Sequence, residues 1–163
     1  MEIRVPKPLV RELRAKLRDY PEINYVDKKE ESRDKDLARC LWEAMEDLNL
    51  IPPVFNDDYS FTNLPRKAVR IILDLAVVRV LNEVSIWMIR QDFKYIAGDV
   101  QVDIYSRWRS YQQLIPILSG EVKAAAQGFK FSENTERAWG ANLTEMYDSW
   151  RGLENADWFV INV

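Results

Sequence analysis

Between Asn63 and Phe93 runs the longest mostly apolar segment of the chain, and its polar positions change sides midway. Sixteen of the twenty-two residues from Ala68 to Ile89 are apolar. At about 100° per residue, Arg66, Lys67, Arg70 and Asp74 share one face, whereas Arg79, Asn82, Glu83 and Arg90 fall on roughly the opposite one. A surface helix ordinarily keeps a single wet stripe. A stripe that switches predicts a long helix whose two halves bury different faces, either inside a monomer's core or against neighbouring chains. Asn63 can cap it, and Pro65 suits its first turn, where a missing N–H does no harm.

Shorter patterns flank this helix. Leu9, Val10, Leu13 and Leu17 make an apolar stripe beside Arg11, Arg14 and Arg18, which predicts an amphipathic helix over residues 8–19 with Pro21 just past its end. After a mixed-charge loop over 27–36, Leu37, Leu41, Ala44, Met45 and Leu48 recur at helical spacing from about Asp34 to Leu48, with Asp34 or Asp36 as cap. Asn49, Pro52 and Pro53 stop that helix, and Phe55, Tyr59 and Phe61 in the following loop are expected to lie over the helices. Past Phe93 the period becomes alternating: Lys94–Ile96 and Val100–Ile104 around Ala97, Gly98 and Asp99 predict a hairpin with Val100, Val102 and Ile104 on one face. Ser106–Gln127 returns to helix, which Pro116 and Gly120 should kink or divide; Thr135–Trp150 reads as a last short helix, and 151–163 as an extended tail. The fold class expected is mainly α, a helical bundle around one long central helix with a small β-hairpin. It forms one domain over 1–150, carrying a C-terminal arm over 151–163.

Composition agrees with a soluble globular protein, with 47% apolar and 30% charged residues in a chain of 163 and a formal charge of −3. The charge is unevenly spread. Residues 1–18 hold six basic and two acidic side chains, 19–58 five and twelve, and 59–163 twelve of each. A basic leading segment followed by an acidic one can fold back on itself or pair head to tail with the next copy in a ring. No signal-peptide core precedes Leu17, and Arg70, Asp74, Arg79 and Glu83 interrupt the longest apolar stretch, so no membrane span and a cytoplasmic site of synthesis are expected.

Chemistry has little to work with. The sequence holds no histidine, the commonest metal ligand and neutral-pH base, and its one cysteine, Cys40, sits at a helical position between Leu37 and Leu41 that suggests a buried thiol. Glu43, Glu46 and Asp47 with Asp57 and Asp58 lack the spacing of a calcium loop and read as a solvated acidic face. Neither a Gly-rich phosphate loop nor a nucleophile elbow is present. No catalytic residue, metal or cofactor is expected, and the chain reads as a non-enzyme.

Two features suit binding instead. Arg107, Trp108, Arg109 and Tyr111 interleave basic and aromatic groups, a mixture that can hold phosphates and stack bases, with Arg107 and Arg109 the candidate nucleic-acid contacts. At the C-terminal end Trp150, Trp158, Phe159, Val160, Ile161 and Val163 follow acidic neighbours, as in an arm that anchors in a partner's groove or adds a strand to it. The same residues could instead complete the chain's own core.

The order of the parts from about Leu37 to Leu118 resembles neck proteins of tailed bacteriophages, of the head-to-tail adaptor or connector type. Leu50-Ile51-Pro52-Pro53 after a helix, Asn63-Leu64-Pro65-Arg66 opening the long helix, and Arg90-Gln91-Asp92-Phe93-Lys94-Tyr95 before a Gly-containing turn carry it. The resemblance implies a structural virion protein located in the neck, a homo-oligomeric ring of many copies, commonly twelve, between the portal protein and the next neck or tail protein. It also implies that DNA passes through the channel without specific binding. On that reading Arg79, Glu83, Trp87, Arg11 and Arg14 pack subunits together, and Trp150, Trp158, Phe159, Val160 and Ile161 dock onto the portal. Competing readings are a cytoplasmic helical regulator or nucleic-acid-associated module, and another virion part such as a tail terminator.

Overall fold

The computed structural model describes residues 2–20, 22, 32–54, 58–90, 95–97, 100–102, 105–138 and 158–162. In chain order these form β1 (Glu2–Pro6), α1 (Lys7–Leu17), α2 (Asp34–Leu50), α3 (Arg66–Arg90), β2 (Tyr95–Ala97), β3 (Val100–Val102), α4 (Tyr105–Ala138) and β4 (Trp158–Asn162). The fold is mainly α, as the periodicity predicts.

α1 follows β1 without a loop because Pro6 keeps an extended backbone as N-cap and a second proline fits the first turn. It ends at Arg18, in the left-handed region at φ 55°, whose N–H returns to the Ala15 carbonyl at 3.2 Å. Leu9, Val10 and Leu13 are buried against α2 and α3. α2 buries Leu37, Ala38, Cys40, Leu41, Ala44, Met45 and Leu48 and runs two residues beyond the predicted end. Neither Asp34 nor Asp36 caps it. The N-cap is Arg33, and the Asp34 carboxylate instead accepts from Arg14 Nη2 at 2.8 Å.

α3 opens at Arg66, not Asn63: the first helical N–H groups, of Ala68 and Val69, reach the Pro65 carbonyl at 2.9 and 3.3 Å. The Asn63 carboxamide is spent on the preceding turn, accepting from the Ser60 N–H at 2.6 Å. Tyr59 and Phe61 are buried over the helices as expected, while Phe55 lies outside the described residues. Asn49 holds this loop, donating to the Tyr59 carbonyl at 3.0 Å and accepting the Tyr59 N–H at 2.9 Å.

Charged pairs fix the direction of packing. Arg79 meets Asp47, and Arg39 meets Glu83, so α2 and α3 are antiparallel. Lys130 of α4 donates to the carbonyls of Asn49 and Ile51 at 2.9 and 2.8 Å, which places the second half of α4 beside the start of α3. α3 and α4 therefore form a helical hairpin, with α2 and α1 covering only its first end. Along α3 from Ala68 to Val80 eight residues are buried, which centres the core there.

Two expectations change. α4 is one helix of 34 residues with Pro116 inside it, rather than a helix divided at Pro116 and Gly120. Both residues lie on the exposed side, where the carbonyl that Pro116 leaves without a helical donor can take water. Thr135–Ala138 belong to this helix, and the remainder of the short helix expected up to Trp150 lies outside the described residues. The segment read as an extended arm is, over Trp158–Asn162, the strand β4 paired antiparallel with β1 in the register Arg4↔Val160, Val5↔Phe159 and Pro6↔Trp158. Val5 is fully buried and Trp158 and Phe159 pack against the core, so over these residues the apolar tail closes its own fold. β2 and β3 pair as the predicted hairpin, Ile96 opposite Gln101, while its turn, Ile104 and the facing of its side chains lie outside the described residues.

Candidate interaction surfaces

The ionic contacts of the helices are largely internal. Arg14, expected between subunits, is buried and joins the end of α1 to the start of α2: Nη1 donates to Asp19 Oδ2 at 2.8 Å, and Nη2 to the Ser32 carbonyl at 2.7 Å and to Asp34. Here the basic leading segment folds back on the acidic one. Arg79 bridges Asp47 through Nε and Nη2 at 2.8 and 2.6 Å and reaches Glu43 at 3.1 Å; Glu83 accepts from Arg39 at 2.8 Å. These carboxylates, with the Asp47 hydrogen bond foremost, hold the Arg79 guanidinium above its ordinary pKa. Arg79 and Glu83 thus lock α2 to α3 within the chain. Arg11 is exposed on α1.

Cys40 lies beneath this network. Burial, with Glu83 and Glu43 adding, pushes its thiol up to about 12, which makes it inert near neutral pH. Lys130, invisible to the sequence reading, is buried to 1% exposure with its ammonium on two carbonyls and 5.8 Å from the Tyr59 ring centre. Burial lowers its pKa, with Asp58 partly opposing. Among the described residues no group of three acidic or thiol side chains is arranged to hold a metal ion, and no helix is long and apolar enough to cross a membrane.

Beyond Glu83, where Arg39 of α2 meets α3, burial falls away. Ile86, Trp87 and Ile89 are exposed by 51, 59 and 49%, and on α4 Leu114 and Ile117 by 45 and 60%. Two helices alone cannot bury both of their apolar stripes, and here no third layer is present among the described residues. A separate group of exposed apolar side chains, Leu50, Val54 and Phe131, lies where Lys130 ties α4 to the end of α2. Trp87, expected to pack between subunits, is one of these exposed side chains; its apolar neighbours could not be picked out from sequence, because a helix that is apolar all round does not say which face stays open.

No family model matches this chain, and no curated protein or solved structure does.

Of the remaining candidates, Arg109 is exposed on the first turns of α4, and the side chains of Arg107 and Trp108 lie outside the described residues. In the C-terminal strand the Phe159 ring sits 5.7 Å from Lys7 Nζ, Val160 is exposed, and Ile161 pairs in register with Ile3. Trp150 and Asp57 lie outside the described residues, while Glu43 and Asp47 engage Arg79 and Glu46 and Asp58 are exposed.

Proposed function

We propose that this protein is a structural subunit of a homo-oligomeric assembly, and specifically the head-to-tail adaptor of a tailed-phage neck, ringing the genome channel between portal and tail. The observation that carries it is the apolar exposure of the α3–α4 hairpin, where Ile86, Trp87 and Ile89 of α3 and Leu114 and Ile117 of α4 are about half exposed. Apolar exposure of this extent is a signature of a partner surface. Leu50, Val54 and Phe131 form a second such region at the other end of the hairpin. Two unlike surfaces on one subunit suit heterologous association, which closes into a ring when the rotation allows. The order of motifs from Leu37 to Leu118 supplies the choice of the neck among ring-forming assemblies.

On this reading the chain performs no chemistry. Within each copy Arg79 and Arg39 hold α2 on α3, and the open end of the hairpin is presented to the neighbouring copy. Electron microscopy of the purified protein, alone and mixed with a portal ring, tests it. Closed rings of this chain seated on the portal are the expected outcome. A chain that stays monomeric with the portal present, or that binds duplex DNA in a salt-sensitive manner without forming rings, would sink the reading in favour of a regulator.

A further inference from the structure

We infer that the outer face of α4 is a helix-docking surface whose occupant is α4 of a second copy of this chain, packed antiparallel about a twofold axis at Ala124. The pair goes beyond the ring reading and does not rest on it, because a twofold joint makes a dimer whether or not other surfaces close a ring.

Ile117 and Phe131, one from each of the exposed apolar groups described above, lie on the same side of this helix. At about 100° per residue, Ile117, Gly120, Ala124, Gly128 and Phe131 fall within roughly 80° of one another. They point away from Val122, Ala126 and Phe129, which pack on the core. Ile117 and Phe131 are 60 and 68% exposed, and the three small residues between them are exposed as well. An outward helix face ordinarily carries charge. Here the charged residues from Ser110 to Ser132 are Glu121, Lys123 and Lys130; Lys130 is buried, and the other two stand to either side of the row. The glycines add an independent argument. Each weakens a helix interior relative to alanine, yet a Cβ at either position would meet nothing within 4 Å, so the subunit itself has no need of the room they leave. A second helix backbone brought close does need it.

The spacing of the row selects its partner. Ala124 is the centre, with Gly120 and Gly128 four residues to either side and Ile117 and Phe131 seven. An antiparallel copy centred on Ala124 therefore sets Gly120 against Gly128 and Ile117 against Phe131, each twice, and keeps the small residues at the crossing, where the axes come nearest. Both ends then hold one large and one middle-sized side chain, so the helices stay evenly spaced. A parallel copy would set Phe131 on Phe131 and Ile117 on Ile117 and splay one end. Charge points the same way. A partner helix with a charged face would strand its charges on an apolar strip away from water, whereas an identical strip brings none to its centre. Ile117 also belongs to the open end of the hairpin, so a copy held in this pair does not offer that side chain to a ring joint at the same time.

Thiol coupling reads the register directly. Gln113 and Thr135 are exposed, stand eleven residues to either side of Ala124 and lie on the same face, so replacing them leaves the apolar row intact. The Gln113→Cys and Thr135→Cys variants of the full chain are mixed in equal amounts, treated with a short bismaleimide, digested and analysed by mass spectrometry; the native Cys40 is buried and stays out of the reaction. Peptides joining position 113 of one copy to position 135 of the other are expected to dominate. In parallel, Gly120→Gln/Gly128→Gln fills room that the lone subunit does not use, and should weaken self-association at least about tenfold in sedimentation while the thermal midpoint does not fall. Coupling of 113 to 113 and 135 to 135 instead, or none at all, overturns the antiparallel pair. So does an unchanged association constant, or a lowered thermal midpoint, which would show that the chain covers this face itself. Rings on a portal without the 113–135 link remove the pair and leave the ring reading standing; the link without rings does the reverse.

Discussion

Cys40 shows how one buried position converts sequence pattern into chemistry. It lies on the apolar stripe of α2, 1% exposed, and burial with Glu83 and Glu43 nearby pushes its thiol from 9.0 to about 12. A raised folded-state value means that the proton is held more tightly in the folded chain. The stability it contributes is fully present below pH 9 and is lost as the pH climbs from 9 towards 12. At pH 8 the folded protein should resist alkylation by iodoacetamide while the urea-unfolded protein labels readily, as intact-mass measurement over time will show; equal rates would contradict the burial. Lys130 follows the opposite logic. Its ammonium is buried on two carbonyls, and burial pushes its pKa down. The sequence gives no warning of this, because a lysine between Phe129 and Phe131 looks like any solvated helix cation until the end of α2 lies over it.

At the scale of elements, α1 and α2 were legible because each carries a 3.6-residue apolar period that only helices satisfy, and α3 because its apolar run is too long for a strand. Their caps were not. Asp34, Asp36 and Asn63 have side chains suited to capping, yet Asp34 answers Arg14 and Asn63 answers Ser60, partners distant in sequence or set by a turn. α4 was misjudged for a related reason: proline has a strong local cost, but on a solvated face the freed carbonyl finds water and the helix continues. Pro116→Ala should restore the missing hydrogen bond and stabilise the protein by about 1–3 kcal/mol, read as a higher midpoint in urea. A destabilised variant would mean that proline itself is required at position 116 for packing α4 on α3. Strand β1 escaped notice because five residues alternating Ile3 and Val5 with polar neighbours carry too little pattern to be separated from a helix entry. Only its partner β4, from the other end of the chain, makes it a strand.

For the whole molecule, the decisive feature is a core that covers one end of the α3–α4 hairpin and leaves the other open. Arg14, Arg39 and Arg79 hold α1, α2 and α3 together, but these pairs are partly solvated except around Arg14 and contribute little individually compared with the buried leucines. The open end follows as an interaction surface. Replacing Trp87 and Ile117 together by Glu should leave helical circular dichroism unchanged, since both side chains are more than half exposed, and should weaken self-association by at least about a hundredfold in sedimentation velocity. Loss of helicity in that variant would show instead that the end is part of the subunit's own core.

The sequence by itself determined the helical class, the length and place of the central helix, the buried stripe of α2, the loop aromatics and the hairpin, because periodicity is a local property that any burial must respect. Tertiary structure alone decided which charges meet, which cap candidates are diverted, that β4 closes on β1, and which faces of α3 stay open. Those outcomes depend on elements brought together from distant parts of the chain, and a helix apolar on every side can state that it needs partners without stating which of them its own chain provides.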